Sequence, residues 1–269
     1  MRKLVAAVIF NRNKYLMLRR KLHWKGWEFV KGDTEGQGYK KALLREIREE
    51  TNLRKVRIVC MLPPEIFYHH EDIHGHTSSM QKGFLVEYLG GTIRLSLEHS
   101  GYRWVDRKTA EKLLTHTSHK TFLRVADRYV RELEKKKKKF LVEKLSKKHV
   151  SLVRFDGKRI SLKYDGKKLS NRVVKRTVRV VGDWSRIRNE VYYDKNLDAR
   201  GVLPILIHET VEKHVAQTYG LDVDTEAHKI AQAVEKEFIA DKGWIKIQKL
   251  VSIDWVKANK RKVGKIKFY

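Results

Sequence analysis

Residues 31–53 read KGDTEGQGYKKALLREIREETNL, and the reading of this stretch decides the fold of the first half of the chain. Ala42, Leu43 and Ile47 recur at helical spacing and predict an amphipathic helix over residues 38–52. On a helix, positions i, i+3 and i+4 share a face, so Glu46, Glu49 and Glu50 project together, with Arg45 one turn before Glu49. Like charges so placed repel by a few tenths of a kcal/mol per pair. The cluster is either a solvated acidic face, partly neutralised by Arg45 and Arg48, or a site for a hard divalent cation. Magnesium takes carboxylate oxygens and brings waters and phosphate with it.

Around this helix the pattern alternates. LVAAVIF and YLMLRR read as strands joined by the polar turn NRNK. VRIVCML, QKGFLVEYL and TIRLSL read as further strands, with Gly90-Gly91 turning between the last two. RKTAEKLLT and HKTFLRVADRYVRELEKK read as helices. These elements make an α+β domain over residues 1–132, an ordinary domain size. Residues 133–149, with the run Lys135 to Lys139, are expected to extend the preceding helix or to form a linker. Residues 150–269 form a second, smaller and basic α+β domain on this reading. SLVRFDGKRISLKYDGKKL gives strands about Asp-Gly turns. RVVKRTVRVVGD and NEVYYDKN give more strands. ILIHETVEKHVAQTYG, after Pro204, is a helix closed by Gly220, and a second helix starts near Asp224.

The whole chain has formal net charge +28. Residues 1–132 hold 26 basic and 15 acidic groups, and residues 133–269 hold 34 and 17, so the excess is spread along the chain. Such a field attracts a polyanion such as RNA, DNA or a ribosome, at a strength that falls with salt. The single cysteine, Cys60, excludes an intrachain disulfide, and no apolar run is long enough to span a membrane. The expectation is a soluble cytoplasmic protein with no membrane partner.

The stretch 31–53 resembles the Nudix box, G-x5-E-x7-R-E-U-x-E-E-x-G-U. Arg45, Glu46, Ile47, Glu49, Glu50 and Leu53 match its core. WEFVKGDTEG and LEHSGYRWVDRKTAEKLLTH resemble segments of the diadenosine polyphosphate hydrolase branch of that family. The resemblance covers residues 1–132. It implies an α/β/α sandwich with a mixed sheet. It also implies hydrolysis of a pyrophosphate bond in a nucleoside diphosphate derivative, such as a dinucleoside polyphosphate, by water activated on Mg2+ or Mn2+. Position by position, Glu46, Glu49 and Glu50 would hold the metal, near the carbonyl of Gly32. Arg45 would orient Glu49. Glu98 would join the metal or act as base. Lys31 would neutralise phosphate, Phe67 or Tyr68 would stack a base, and Lys82 would meet a phosphate.

The box has departures. Its first Glu is Gln37, its leading Gly fits Gly32 only with one loop residue deleted, and its later Gly is Asn52, a residue that tolerates left-handed backbone. Val30 replaces the usual Pro. IFYHHEDIHGHT carries His69, His70, His74 and His76, which read as a polar surface loop or as transition-metal ligands.

The second half has its own constellation. In LIHETVEKHV, His208 and Glu212 lie i, i+4, with Glu209 beside His208, and His228 and Glu235 lie seven apart in the next helix. The pattern resembles small H-E-x-x-E metallopeptidase-like domains. That implies Zn2+ on His208, Glu212 and His228 with Glu209 as general base. The alternative is two packed helices whose polar groups bond one another. His214 points elsewhere. Two functions remain open: a metal-dependent hydrolase of a nucleotide or dinucleotide, extending to capped or triphosphorylated RNA ends, and an RNA- or ribosome-binding protein reusing the same fold as a scaffold.

Overall fold

The computed structural model describes residues 1–72, 75–177, 180–246 and 249, with backbone alone at 70–72 and 75–77. The chain divides into two compact units, Met1–Lys136 and Lys137–Tyr269.

In the first unit the strands are β1 (Arg2–Asn11), β2 (Lys14–Arg20), β3 (Gly26–Glu28), β4 (Val30–Asp33), β5 (Lys55–Asp72), β6 (Gly75–Gly90) and β7 (His99–Val105). They form one sheet in the order β3-β2-β1-β6-β5, with β4 also on β1 and β7 on β2. β1 and β6 run parallel and the other pairs antiparallel, so the sheet is mixed. β1 is apolar without alternation because both of its faces are covered. Val5, Ala7 and Ile9 join Leu43 and Ile47 of helix α1 (Tyr39–Thr51) in one core. Ala6, Val8 and Phe10 join Ala110 of α2 (Arg107–Leu113) and Phe122, Leu123 and Ala126 of α3 (Thr117–Ser146) in the other. This is the expected α/β/α arrangement. α1 ends at Asn52, whose φ of 58° is left-handed and whose N–H bonds Arg48 O.

One expected strand does not form. In TIRLSL, Ile93 and Leu95 pack against the α1 core. Its alternate N–H groups, Arg94 and Ser96, donate to Thr51 O and Glu50 O at 3.0 and 3.1 Å. The period-2 pattern is real, but its partners are the open carbonyls at the end of a helix instead of a neighbouring strand. β3, β4 and β7 were not read as strands from the sequence. The three are short or poor in apolar residues, and pairing to β1 and β2 makes them.

The lysine run Lys135–Lys139 lies inside the uninterrupted helix α3. In the second unit β8 (Ser151–Phe155), β9 (Arg159–Tyr164), β10 (Lys167–Arg176), β11 (Gly182–Trp184) and β12 (Glu190–Asp194) form a sheet in the order β11-β12-β10-β9-β8, with β10 and β12 parallel. The β9–β10 turn is Asp165-Gly166, both at positive φ. Helix α4 spans Ala199–Tyr219 and starts five residues before Pro204, not after it; Asp198 caps it by accepting from Arg200 N. Gly220 closes it at φ 63°. Next comes a wide turn, Val223–Ala227, in which Ala227 N reaches five residues back to Asp222 O at 2.9 Å. It delays the following helix α5 to His228–Asp241. Leu206, Val211, Ala231 and Val234 share one core with Ile160, Leu162 and Val191 of the sheet. Among the described residues no helix is long and apolar enough to cross a membrane.

Candidate active site

The acidic face of α1 meets the backbone of β4 at close range. A Cβ built on Gly32 would lie 2.0 Å from Cδ of Glu46, so only glycine lets that carboxylate approach the strand. Arg45 fastens the site. Its Nη1 donates to Glu49 Oε2 at 3.0 Å, and its Nη2 donates to Asp33 O at 2.6 Å and pairs with Glu46 Oε1 at 2.8 Å. It also reaches Glu35 Oε1 at 3.4 Å. One guanidinium thus ties the loop after β4 to the helix, with the strength of charge-assisted bonds.

Beneath this layer Glu28 is fully buried. Arg20 Nη1 lies 3.2 Å from its Oε1 and Lys31 Nζ 2.7 Å from its Oε2. Burial alone would raise Glu28, but His99 and Lys31 override it and hold the carboxyl at about 2. Arg20 also pairs with Glu98 Oε2 at 3.1 Å. Glu50 is in the opposite situation. Burial, together with the charges of Glu28, Glu46 and Glu98, pushes its carboxyl well above the ordinary range. Its Oε2 is buried with no hydrogen-bond partner. Burial likewise pushes Glu46 up to about 7.

Above Glu28 a cleft of about 1000 Å³ is lined by Glu46, Glu49, Glu50 and Glu98 together with Arg2, Arg20 and Lys31. The carboxylates fit a hard divalent cation. Crowded acids that resist ionisation, and an orphaned carboxylate oxygen among them, are what a bound cation relieves.

Tyr68 lies in the cleft, its hydroxyl donating to Gln81 Oε1 at 2.7 Å. Phe67, its neighbour on β5, is exposed and is not part of the lining, because successive side chains of a strand take opposite faces. The same rule removes Lys82. Ser79 and Gln81 of β6 face the cleft, while Lys82 faces a separate hollow with Gly38, Tyr39 and Cys60. There it pairs with Glu65 at 2.7 Å and sits 4.5 Å over the Tyr39 ring. Lys82 is therefore outside the lining of the acidic cleft. His69 lines the cleft and its Nδ1 is 3.1 Å from Ser78 Oγ. His74, and the side chains of His70 and His76, lie outside what the structure describes.

Gln37 is not in the cleft, whereas Glu35 is. Glu35 was overlooked in the sequence because the shortened loop breaks the spacing of the box. Arg20, Glu28, His116 and His119 were overlooked too. They come from β2, β3 and the start of α3, far apart in sequence. Burial pushes His119 down to about 3, and its Nδ1 faces the Phe29 N–H at 3.4 Å.

In the second unit, His208, Glu212 and His228 converge. Burial alone would lower the His208 imidazole; hydrogen bonds to Glu212 and Glu235 override it and push it up to about 10. Glu209 lies against β11, where a Cβ on Gly182 would be 2.5 Å from its Oε1, and burial pushes it up to about 8. It is not one of the three converging groups. His214 is also apart, with Nδ1 3.2 Å from Thr218 Oγ1.

Residues 1–125 match the family model described as NUDIX domain. An RNA pyrophosphohydrolase of Campylobacter jejuni is 27% identical over 136 residues, covering 45% of this chain and 87% of the relative. The same-named protein of C. jejuni strain 81-176 is 27% identical over 109 residues, covering 37% and 70%. Among solved structures, a C. elegans Ap4A hydrolase binary complex is similar at 21% identity and TM-score 0.44, covering 49% of this chain and 99% of that one. A MutT protein from Methanosarcina mazei Go1 is similar at 22% identity and TM-score 0.38, covering 49% and 94%.

Proposed function

Residues 1–125 belong to the Nudix family, and from that premise we propose that the first unit hydrolyses a pyrophosphate bond in a nucleoside diphosphate derivative. The observation that carries this is the cleft itself, whose lining brings four carboxylates and several cations onto the same space. A polyphosphate cannot approach Glu46, Glu49, Glu50 and Glu98 unless a cation stands between them, and Arg2, Arg20 and Lys31 supply only part of the countercharge. Mg2+ or Mn2+ held by Glu46, Glu49 and Glu50 near the Gly32 carbonyl would neutralise phosphate oxygens and lower the pKa of a bound water.

The chain's own residues do the rest. Arg45 holds Glu46 and Glu49 on one side of the cleft. Glu98, held by Arg20 and partly exposed, would accept a proton from attacking water. Glu28 stays ionised below and fixes Arg20 and Lys31 at the lining of the cleft. Tyr68 offers a ring to a base.

RNA 5′ ends are the favoured substrate class among nucleoside diphosphate derivatives. Two relatives are named for that activity, and the net charge of +28 draws in a nucleic-acid strand. A second reading, RNA or ribosome binding on a scaffold without turnover, rests on the same charge and on Gln37. The test incubates the protein and its Glu50→Gln variant with Mg2+ or Mn2+ and 5′-triphosphate RNA, dinucleoside polyphosphates or nucleoside triphosphates. Turnover of a substrate by wild type, lost in the variant, supports hydrolysis. Salt-sensitive RNA binding, equal in both proteins and with no turnover, supports the scaffold.

A further inference from the structure

The second unit contains a site that the first unit's chemistry does not use. We propose that His208 Nε2, Glu212 Oε2 and His228 Nδ1 bind one zinc-class divalent transition metal, with the fourth coordination position open to solvent. The site stands independently of the pyrophosphohydrolase reading.

The distances carry it. His208 Nε2 is 3.2 Å from His228 Nδ1 and 3.4 Å from Glu212 Oε2, and His228 Nδ1 is 2.9 Å from Glu212 Oε2. Ligands about 2.0–2.1 Å from a tetrahedral zinc are separated by about 3.3–3.4 Å, the edge of the tetrahedron. The triangle has nearly that size.

Protons alone do not account for it. Each ring nitrogen either bears one hydrogen or presents one lone pair, and the ionised carboxylate presents only lone pairs. If both nitrogens are protonated, each donates to Glu212 and the two N–H groups oppose each other. If only His208 Nε2 is protonated, His228 Nδ1 and Glu212 face lone pair to lone pair at 2.9 Å. If only His228 Nδ1 is protonated, His208 Nε2 and Glu212 do so at 3.4 Å. With the carboxylate ionised, no placement of hydrogens on the two rings makes all three edges attractive, whereas a cation at the centre does.

The surrounding groups orient the ligands as metal sites require. Glu235 Oε2 lies 2.8 Å from His208 Nδ1, which leaves Nε2 for the metal. Trp184 Nε1 donates to Glu212 Oε1 at 2.9 Å, which leaves Oε2. Helix spacing places the partners on matching faces, and the packing of α5 and β11 on α4 brings them together. His208 and Glu212 are one turn apart on α4, and His228 and Glu235 are two turns apart on α5. His208 and Glu212 are buried, while the His228 side chain is 49% exposed, so the open position meets water on that side. Two imidazoles and one carboxylate favour zinc or cobalt over magnesium.

The test uses the full chain carrying Glu49→Gln and Glu50→Gln, which removes the acidic cleft as a competing metal site. The protein is stripped with a chelator and titrated with Co2+ and then Zn2+, reading the cobalt visible spectrum and bound metal per chain. The expected result is one equivalent of Co2+ with tetrahedral absorption, displaced by Zn2+. His228→Ala and Glu212→Gln should lose this binding by 100-fold or more, at about the upper end for loss of a metal contact, and Glu235→Gln by about 10–100-fold. His228 is half exposed, so its variant retains the wild-type circular dichroism. A folded protein that takes up no stoichiometric Zn2+, or one whose uptake is unchanged in His228→Ala and Glu212→Gln, overturns the proposal.

Discussion

The acidic cleft should make the metal-free protein less stable as pH rises, and Glu46 gives the size of the effect. Its carboxyl titrates at about 7 in the folded chain against an ordinary value of 4.5. Between those pH values the folded state holds a proton that the unfolded state has released, so stability falls with rising pH and the loss is complete above about pH 7. Below 4.5 both states are protonated and the group contributes nothing. The displacement sets a ceiling of about 3.4 kcal/mol. The carboxyl lines an open cleft that water enters, and halving for that screening leaves about 1.7 kcal/mol. The perturbation is Glu46→Gln, and the assay is urea unfolding of both proteins at pH 5 and pH 8 with chelator present. Titrating groups that do not interact with Glu46 are common to both proteins and cancel in the difference. Part of that is already lost at pH 5, so wild type should lose about 1.2 kcal/mol more than Glu46→Gln between the two pH values. Saturating Mg2+ at pH 8 should restore most of that loss in wild type and little in the variant. An equal pH response in the two proteins would refute the reasoning, because Glu46 would then be ionised in the folded state at no cost.

Other outcomes follow from single contacts. Gly32→Ala places a methyl group 2.0 Å from Glu46 Cδ and should cost about 1–3 kcal/mol while cutting kcat about 100-fold; near-normal turnover would show that the close approach is incidental. Lys82→Ala should leave kcat/KM on any cleaved substrate within about twofold, since Lys82 faces away from the cleft; a tenfold loss would return it to the substrate. Lys213, buried and donating to Arg188 O at 2.8 Å and Asn171 Oδ1 at 3.1 Å, should cost about 1–3 kcal/mol of stability as Lys213→Met, read by thermal unfolding. RNA affinity should fall steeply with salt in wild type and in Glu50→Gln alike; a flat salt response would detach the charge from RNA binding.

The sequence alone determined what depends on local spacing. The α1 stripe of Ala42, Leu43 and Ile47 and the shared face of Glu46, Glu49 and Glu50 are consequences of 3.6 residues per turn, and all three stripe residues are buried as that spacing requires. The unbroken apolar run of β1 likewise announces a strand covered on both sides. The i, i+4 placement of His208 and Glu212 was legible for the same reason. Tertiary structure decided whatever required two distant segments to meet. TIRLSL alternates like a strand, but its N–H groups cap a helix because Thr51 O and Glu50 O were the open carbonyls within reach. Tyr68 was selected over Phe67, and Lys82 was turned away, by strand register, which no single strand specifies. Arg20 and Glu28 entered the site through the pairing of β2 with β3. Glu35 reached Arg45 because a loop one residue short still closes on the helix. His228 met His208 only when α5 packed on α4. Periodicity is a property of one segment and can be read from it, whereas a site is a set of contacts between segments, and the core's packing chooses among those.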